Sequence, residues 1–297
     1  MSENYRTVVD PTATNNPHSY ALQMIGGGHH VLEVGCSVGH VTEHLVAAGN
    51  TVVGVEIDRA AAHEAERWAA RVHVRDLDTE PLSEVEHDRF DVILLGDVLE
   101  HFRAPEQVLA DLLTLLTPDG RIVLSVPHVG FVDVRLMLLA GRWSYQDDGL
   151  LDRTHLRWFT AASIAELLAG AGLEATRVER VRLGLGDSGL PIPDPPPAEI
   201  VRFIEADPES TTFQFVVEAR HRAEAHSGAA LTTTEPDWPD LDGERARLEA
   251  ATAASSTRMA DLERHNAALQ AEVDAWHNAK IVRLSAPLRS LWGRLRR

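Results

Sequence analysis

The stretch Val31-Leu-Glu-Val-Gly-Cys-Ser-Val-Gly39, with Glu56 closing a second apolar run 17 residues further on, constrains this chain more than any other feature. An apolar run that breaks into small residues and restarts as a helix is a β-strand handing over to an α-helix. The glycines let the backbone approach a bound ligand, and an acid at the end of the next strand can hold two ribose hydroxyls. The reading that follows is a βαβ unit built around a nucleotide-like ligand.

A dinucleotide fingerprint beginning at Gly35 requires glycines at positions 37 and 40. Ser37 and His40 stand there instead. The pattern that fits is acid-x-Gly-x-small-x-Gly, met by Glu33, Gly35, Ser37 and Gly39, and it resembles the first motif of class I S-adenosylmethionine (SAM) methyltransferases. Glu33 discriminates between the two, because a carboxylate at a strand terminus pairs with an ammonium group and repels a pyrophosphate.

With 297 residues, 44% hydrophobic and 25% charged, the chain has room for one large globular domain and an extension. Its single cysteine, Cys36, excludes an internal disulfide and a cysteine metal cluster. The start, MSENYRTVVDPT, lacks the apolar core of a signal peptide, and no run of 18 apolar residues occurs, so a cytoplasmic location is the expectation. A net charge of −17 argues against nucleic acid as a partner. The charge is uneven: Lys280–Arg297 holds one Lys, five Arg and no acid, which leaves −23 on residues 1–279.

From residue 30 onward apolar runs alternate with helix-like segments, the pattern of an α/β fold with a mainly parallel sheet. Strands are expected near 30–35, 51–57, 71–75, 91–96 and 121–127, with helices near 38–48, 59–69, 105–116 and 161–171. Thr117-Pro-Asp-Gly120 reads as the turn into the fifth strand. Runs at 174–183 and 211–219 would pair antiparallel across a Pro-rich insertion at 184–208. The result is a Rossmann-like sheet of seven strands with the last reversed and helices on both faces, closing a domain over 1–220.

Residues 221–243 have no period and read as a flexible linker. Beyond it, over 244–279, Leu248, Ser255, Leu262, Leu269 and Trp276 fall seven apart, interleaved with Thr252, Met259, Asn266 and Val273. That is an a/d seam, expected to form a coiled-coil helix with Asn266 favouring two strands. A single amphipathic helix folding back on the domain is the alternative. The tail, 280–297, places Leu284, Leu288, Leu291, Trp292 and Leu295 on one stripe among arginines. It suits peripheral contact with the inner face of a membrane, or a docking partner.

Several motifs occur together in order: Asn16-Pro-His-Ser19, the VLEVGCSVG loop, Arg75-Asp-Leu-Asp78, Gly96-Asp-Val-Leu-Glu-His101, Ser125-Val-Pro127, and Gly149-Leu-Leu-Asp-Arg-Thr-His-Leu-Arg-Trp-Phe-Thr160. The set resembles one bacterial branch of class I SAM-dependent methyltransferases, over roughly residues 15–182. Members of that branch are associated with glycosyltransferases and surface-polysaccharide assembly. The resemblance implies SAM as cofactor, with Glu33, Gly35 and Gly39 around its methionine part, Glu56 on the ribose, and Asp76 with the Leu77 backbone at the adenine. Asp97 would face the cofactor or the substrate mouth. Glu33 replaces the commoner Asp, and Ser37 a Gly. Cys36, inside the cradle, reads as a small packing residue, since the sulfonium is itself the electrophile and no protein nucleophile is needed. Asp58 reads as a helix cap.

Methyl transfer from a sulfonium is an in-line displacement, so the enzyme's work is alignment and exclusion of water. The Asn/Asp-Pro-Pro-Tyr-like run of amino-directed enzymes is absent after the fourth strand, where Gly96-Asp-Val-Leu-Glu-His101 stands. A hydroxyl acceptor benefits from a general base, most often His. His101, His128 and His155 follow strand ends or substrate loops, with Asp152 able to orient an imidazole. Arg135, Tyr145 and Arg157 would grip a phosphate or sugar, or brace the lid. No ligand spacing among the histidines supports zinc, and Glu100-His101 alone does not make a magnesium site, so no metal is expected. The leading expectation is an O-methyltransferase acting on a sugar or glycan-linked hydroxyl. Its alternatives are a small lipid-like or quinone acceptor, or a weakly active assembly subunit recruiting glycosyltransferases through the coil.

Overall fold

The computed structural model describes residues 9–222, 231 and 241–294, which fall into two units, Met1–Pro236 and Asp237–Arg297. In the first unit the helices are α1 (Pro17–Ile25), α2 (His40–Ala47), α3 (Arg59–Ala65), α4 (Pro105–Leu113), α5 (Val132–Leu139), α6 (Ala161–Gly170) and α7 (Ala198–Glu205). The strands are β1 (His30–Val34), β2 (Thr51–Glu56), β3 (Arg71–Val74), β4 (Phe90–Gly96), β5 (Leu116–Pro127), β6 (Leu173–Arg182) and β7 (Thr212–His221). They form one seven-stranded sheet in the order β3-β2-β1-β4-β5-β7-β6, with β7 antiparallel to both neighbours. The expected sheet with its reversed last strand is the one observed.

Central strands read as unbroken apolar runs because both faces are covered. On one face Leu32, Val34, Ile93 and Leu95 pack with Val108, Leu109 and Leu112 of α4 and Ile164 and Leu168 of α6. On the other, Val31, Val52, Val92 and Leu94 meet Ala21, Met24 and Ile25 of α1 and Leu45 of α2. Local chemistry sets the helix starts. Asn16 caps α1 by accepting from Ser19 N at 3.1 Å, and Thr160 and Ser163 form a capping box on α6. Asp58 accepts from Ala60 N and Ala61 N at 2.7 and 3.0 Å, so it is the cap of α3.

The structure departs from expectation at four places. Helix α1 precedes the first strand, where Pro17 at its first position favours helix. Helix α5 follows β5; its apolar residues bury on a third cluster with Leu150, Leu151, Leu190 and Ile204 instead of on the sheet, so its pattern is not a simple stripe. Helix α7 lies inside the Pro-rich insertion, entered from Pro197. Strand β5 begins at Leu116, which pairs with Phe90, so the Thr117–Gly120 segment falls within the strand as an irregularity. There the chain curls so tightly that a Cβ on Gly120 would stand 2.7 Å from Leu116 Cγ.

In the second unit, α8 runs unbroken from Leu241 to Arg294. Met259, Leu262, Leu269, Val273 and Trp276 are exposed on it. Most of the expected linker, and the side chains of the basic tail at 280–297, lie outside the described residues. Among the described residues no helix is long and apolar enough to cross a membrane.

Candidate active site at the strand ends

In an open α/β sheet ligands bind beyond the carboxyl ends of the strands, where the order reverses. Here that point lies between β1 and β4, and a cavity of about 300 Å³ opens there. Its walls include Glu33, Gly35, Cys36 and Ser37 from β1 and the loop after it, Gly96 at the end of β4 with Asp97, Glu100 and His101 after it, and Ser125 and Pro127 of β5. Gly149, Leu150, Asp152 and His155 close it from the loop between α5 and α6.

The loop after β1 is shaped by backbone conformation. Gly35, Ser37 and Gly39 have φ of 74°, 50° and 88°, the left-handed region that favours glycine. A Cβ on Gly35 would meet Val98 Cγ2 at 3.1 Å, and one on Gly39 would meet Trp68 Cδ1 at 3.0 Å. Glu56 clamps the loop: its carboxylate accepts from Ser37 N at 2.9 Å and from Asp58 N at 2.8 Å. It remains half-buried at the end of β2. Asp76 and Leu77 follow β3, with Asp76 accepting from Asp78 N at 3.0 Å. Glu56, Asp76 and Leu77 thus lie along the neighbouring strand ends, outside the walls of the cavity itself.

Glu33 is 4% exposed and accepts from the Thr42 hydroxyl at 2.6 Å. Burial pushes its carboxyl up to about 7, against the opposing Thr42 hydrogen bond. The Cys36 thiol is buried against Gly54, and burial, with the charges of Glu33 and Glu56, pushes it far up, so it stays protonated. That agrees with a packing role.

Asp97 has φ of 50° and accepts from Ser125 Oγ at 2.9 Å and from Gln214 Nε2. Burial raises its pKa, opposed by Ser125, His18 and His155 among others. Glu100 is 1% exposed, and neither of its carboxylate oxygens has a hydrogen-bond partner. Burial and the nearby Asp97 push it well up. Its carbonyl accepts from Leu156 N and Arg157 N at 2.7 and 3.0 Å, which ties the 149–157 loop to the Leu99–His101 turn.

That tie brings His155 beside His101, with ring centroids 4.8 Å apart. His155 Nδ1 lies 2.9 Å from the Leu150 carbonyl, and a carbonyl only accepts, so Nδ1 carries the hydrogen and Nε2 the lone pair. Burial and His101 lower the His155 pKa, keeping the ring neutral near pH 7. The Leu150 carbonyl is an acceptor that orients this ring. Asp152 lines the cavity and accepts from Thr154 N and Oγ1, both at 2.7 Å.

Other residues expected at the mouth are placed elsewhere. His128 is 2% exposed, held by the Thr212 carbonyl at 2.9 Å and packed on Phe215 at 4.9 Å, outside the cavity walls. Arg135 pairs with Asp207 and the Gly130 carbonyl. Arg157 donates to the Arg103 carbonyl, and Tyr145 packs on Trp143 at 6.1 Å, half in solvent. These side chains brace the lid; polarity and loop position alone do not reveal which way a side chain turns. Conversely, His18 Nδ1 and His40 Nε2 are buried without partners and their residues line the cavity, as do Phe213 and Gln214 of β7. His18 was visible inside the Asn16–Ser19 motif, whereas β7 residues reach the site only through the long return of the chain.

The pocket at the switch point of this α/β sheet thus sets a glycine loop and a buried acid on one side against imidazoles on the other. Residues 13–178, more than half of the chain, match the methyltransferase domain family, and the chain belongs to it: it is a class I SAM-dependent methyltransferase. The ubiquinone biosynthesis O-methyltransferase of Alkalilimnicola ehrlichii is 30% identical over 112 residues, 36% of this chain and 45% of that protein. Its counterpart in Aeromonas salmonicida is 24% identical over 151 residues, 49% of this chain and 63% of that one. The chain thus spans about half the length of the curated relatives it matches. Among solved structures, 1,6-didemethyltoxoflavin-N1-methyltransferase of Burkholderia thailandensis is similar at 22% identity, with a TM-score of 0.45 over 70% of this chain and 77% of that one.

The residues present fit SAM. Glu33 is a buried carboxylate that an ammonium group would neutralise, and the close contacts a Cβ would make at Gly35 and Gly39 keep the loop beside it bare of side chains at those two positions. When bound, SAM supplies an electrophilic methyl group on a sulfonium.

Proposed function

We propose that the protein methylates a hydroxyl of a small phenol- or quinol-type acceptor held between Asp97, Glu100, His101 and His155. The observation that carries this reading is the make-up of the cavity: carboxylates and imidazoles line it, and among the described residues no Arg or Lys does. Such a wall repels the pyrophosphate of a nucleotide- or lipid-linked sugar. The O-methyltransferase relatives named for ubiquinone biosynthesis support this order, so the acceptor ranked second from the sequence moves ahead of the glycan.

In this reading Glu33 takes the amino group of the cofactor, Glu56 its ribose, and Asp76 with Leu77 its adenine. The acceptor hydroxyl faces the neutral His155 ring, whose Nε2 lone pair is turned away from the Leu150 carbonyl. The α5–α6 loop, fastened by Glu100, keeps water out. The test is incubation of the protein with labelled SAM and either catechols and quinols or nucleotide sugars. Label on the aromatic hydroxyls alone is expected, and label on the sugars alone overturns the acceptor. Glu56→Ala is expected to weaken S-adenosylhomocysteine (SAH) binding about tenfold to a hundredfold, read by calorimetry, since a hydrogen bond to a charged group contributes about 1.5–3 kcal/mol. Unchanged affinity overturns the ribose assignment.

A second element is independent of the chemistry. The exposed seam of Met259, Leu262, Leu269, Val273 and Trp276 on α8 fits a two-stranded coil with a second copy of the chain. Light scattering is expected to show a dimer that Leu262→Asp with Leu269→Asp converts to monomer. A monomeric parent protein overturns it.

A further inference from the structure

We propose that Glu100, His101 and His155 form a binding site for one divalent transition-metal ion at the acceptor end of the cavity. Glu100 and His101 are adjacent in sequence, and the tertiary fold adds His155. One ligand atom from each of the three lies within 4.8 Å of the others. On a tetrahedral ion with bonds of about 2.1 Å, neighbouring donors stand roughly 3.4 Å apart, so small side-chain rotations close the set.

The hydrogen bonding prepares the donors. The Leu150 carbonyl lies 2.9 Å from His155 Nδ1, and the Thr154 carbonyl 3.3 Å from His101 Nδ1. Each carbonyl takes an N–H, which leaves Nε2 of both rings as the free lone pair. This is the outer-shell arrangement of metal-bound histidines, where a carbonyl on one ring nitrogen sets the other for the metal.

Glu100 supplies the independent observation. The other buried acids have partners: Glu86 has Arg71, His73 at 2.9 Å and the His87 and Asp88 amides, both at 2.8 Å, while Glu33 has the Thr42 hydroxyl. Glu100 is equally buried, yet both of its carboxylate oxygens are without a hydrogen bond. A buried carboxylate left unpaired is costly, and a cation removes that cost. Two imidazoles and one carboxylate suit zinc, manganese or ferrous iron rather than calcium. All three residues line the cavity, so an ion held by them would acidify a hydroxyl bound beside it. That role rests on the methyl-transfer reading; the binding does not.

The experiment uses the full, untagged chain stripped with chelator. Calorimetry with zinc(II) and visible absorption with cobalt(II) are expected to report one equivalent of tight binding. Glu100→Gln keeps the shape of the buried side chain and is expected to weaken that site more than about tenfold. His101→Ala, at a less buried position, is the second variant should Glu100→Gln fail to fold, and the same loss is expected. Metal-free SAH binding, measured in parallel, separates this proposal from the cofactor reading. SAH binding without metal binding sinks only the metal site, and metal binding without SAH binding sinks only the methyl-transfer role. No saturable one-equivalent site, or a site unmoved by both substitutions, overturns the proposal.

Discussion

Replacing His155 with alanine is expected to lower kcat by about 10²–10⁴-fold, the usual contribution of a positioned proton acceptor, while SAH affinity changes less than about twofold. The ring lines the cavity, its tautomer set by the Leu150 carbonyl at 2.9 Å. Burial and the neighbouring His101 hold its pKa below the ordinary histidine value. The neutral ring is therefore the form present at pH 7, and activity is expected to fall only as the pH drops below the usual histidine range. Protonation removes the Nε2 lone pair, whether it receives the acceptor's proton or holds the cation. His128→Ala is the contrast: that ring is packed between Phe215 and the Thr212 carbonyl, so the loss is expected in thermal stability. A His155→Ala enzyme with parental kcat would remove His155 from the reaction.

The second large effect concerns Glu33. Its carboxyl is raised to about 7 by burial in the ligand-free protein, and an ammonium group beside it would lower that value. Binding is then linked to loss of a proton, so affinity rises with pH through about 7 and levels above it. From pH 6 to pH 8 the ionised fraction grows about tenfold, and SAH affinity is expected to grow by the same factor. Glu33→Gln is expected to flatten this dependence and weaken binding about a hundredfold at pH 8, the cost of breaking a buried ion pair. The sign for stability is opposite. A carboxyl whose folded pKa is raised destabilises the fold once pH exceeds its unfolded value, increasingly up to about 7. The ligand-free Gln variant is therefore expected to melt no lower than the parent at pH 8. Calorimetry in two buffers of different ionisation enthalpy checks the proton release. A pH-independent affinity in the parent protein rules the pairing out.

Much of the donor end was legible in the residues. Gly35 and Gly39 have positive φ in the loop, and Glu33 and Glu56 lie in apolar runs that pair as parallel strands. Asp58 was readable as a cap because it directly precedes a helical run. The acceptor end was less legible. His101, His128 and His155 looked alike in the sequence, yet one is sealed under β7 and two share the cavity. For Arg135 and Arg157 the sequence left open a ligand grip or a brace, and their guanidiniums are engaged by Asp207 and the Arg103 carbonyl, as a brace would be. Glu100 went unassigned, since only its three-dimensional neighbours show that it lacks a partner.

The sequence alone determined an α/β sheet with a glycine loop after its first strand, because strand period and turn glycines are local properties, and the resemblance of its motifs implied SAM. Which side chains meet at the far wall of the cavity was decided by tertiary structure alone. His155 reaches His101 only because the Leu156 and Arg157 amides hydrogen-bond the Glu100 carbonyl, and that pairing joins loops distant in the chain. A side chain's availability for chemistry depends on which neighbours have already taken its hydrogen bonds, and those neighbours are set by the packed fold.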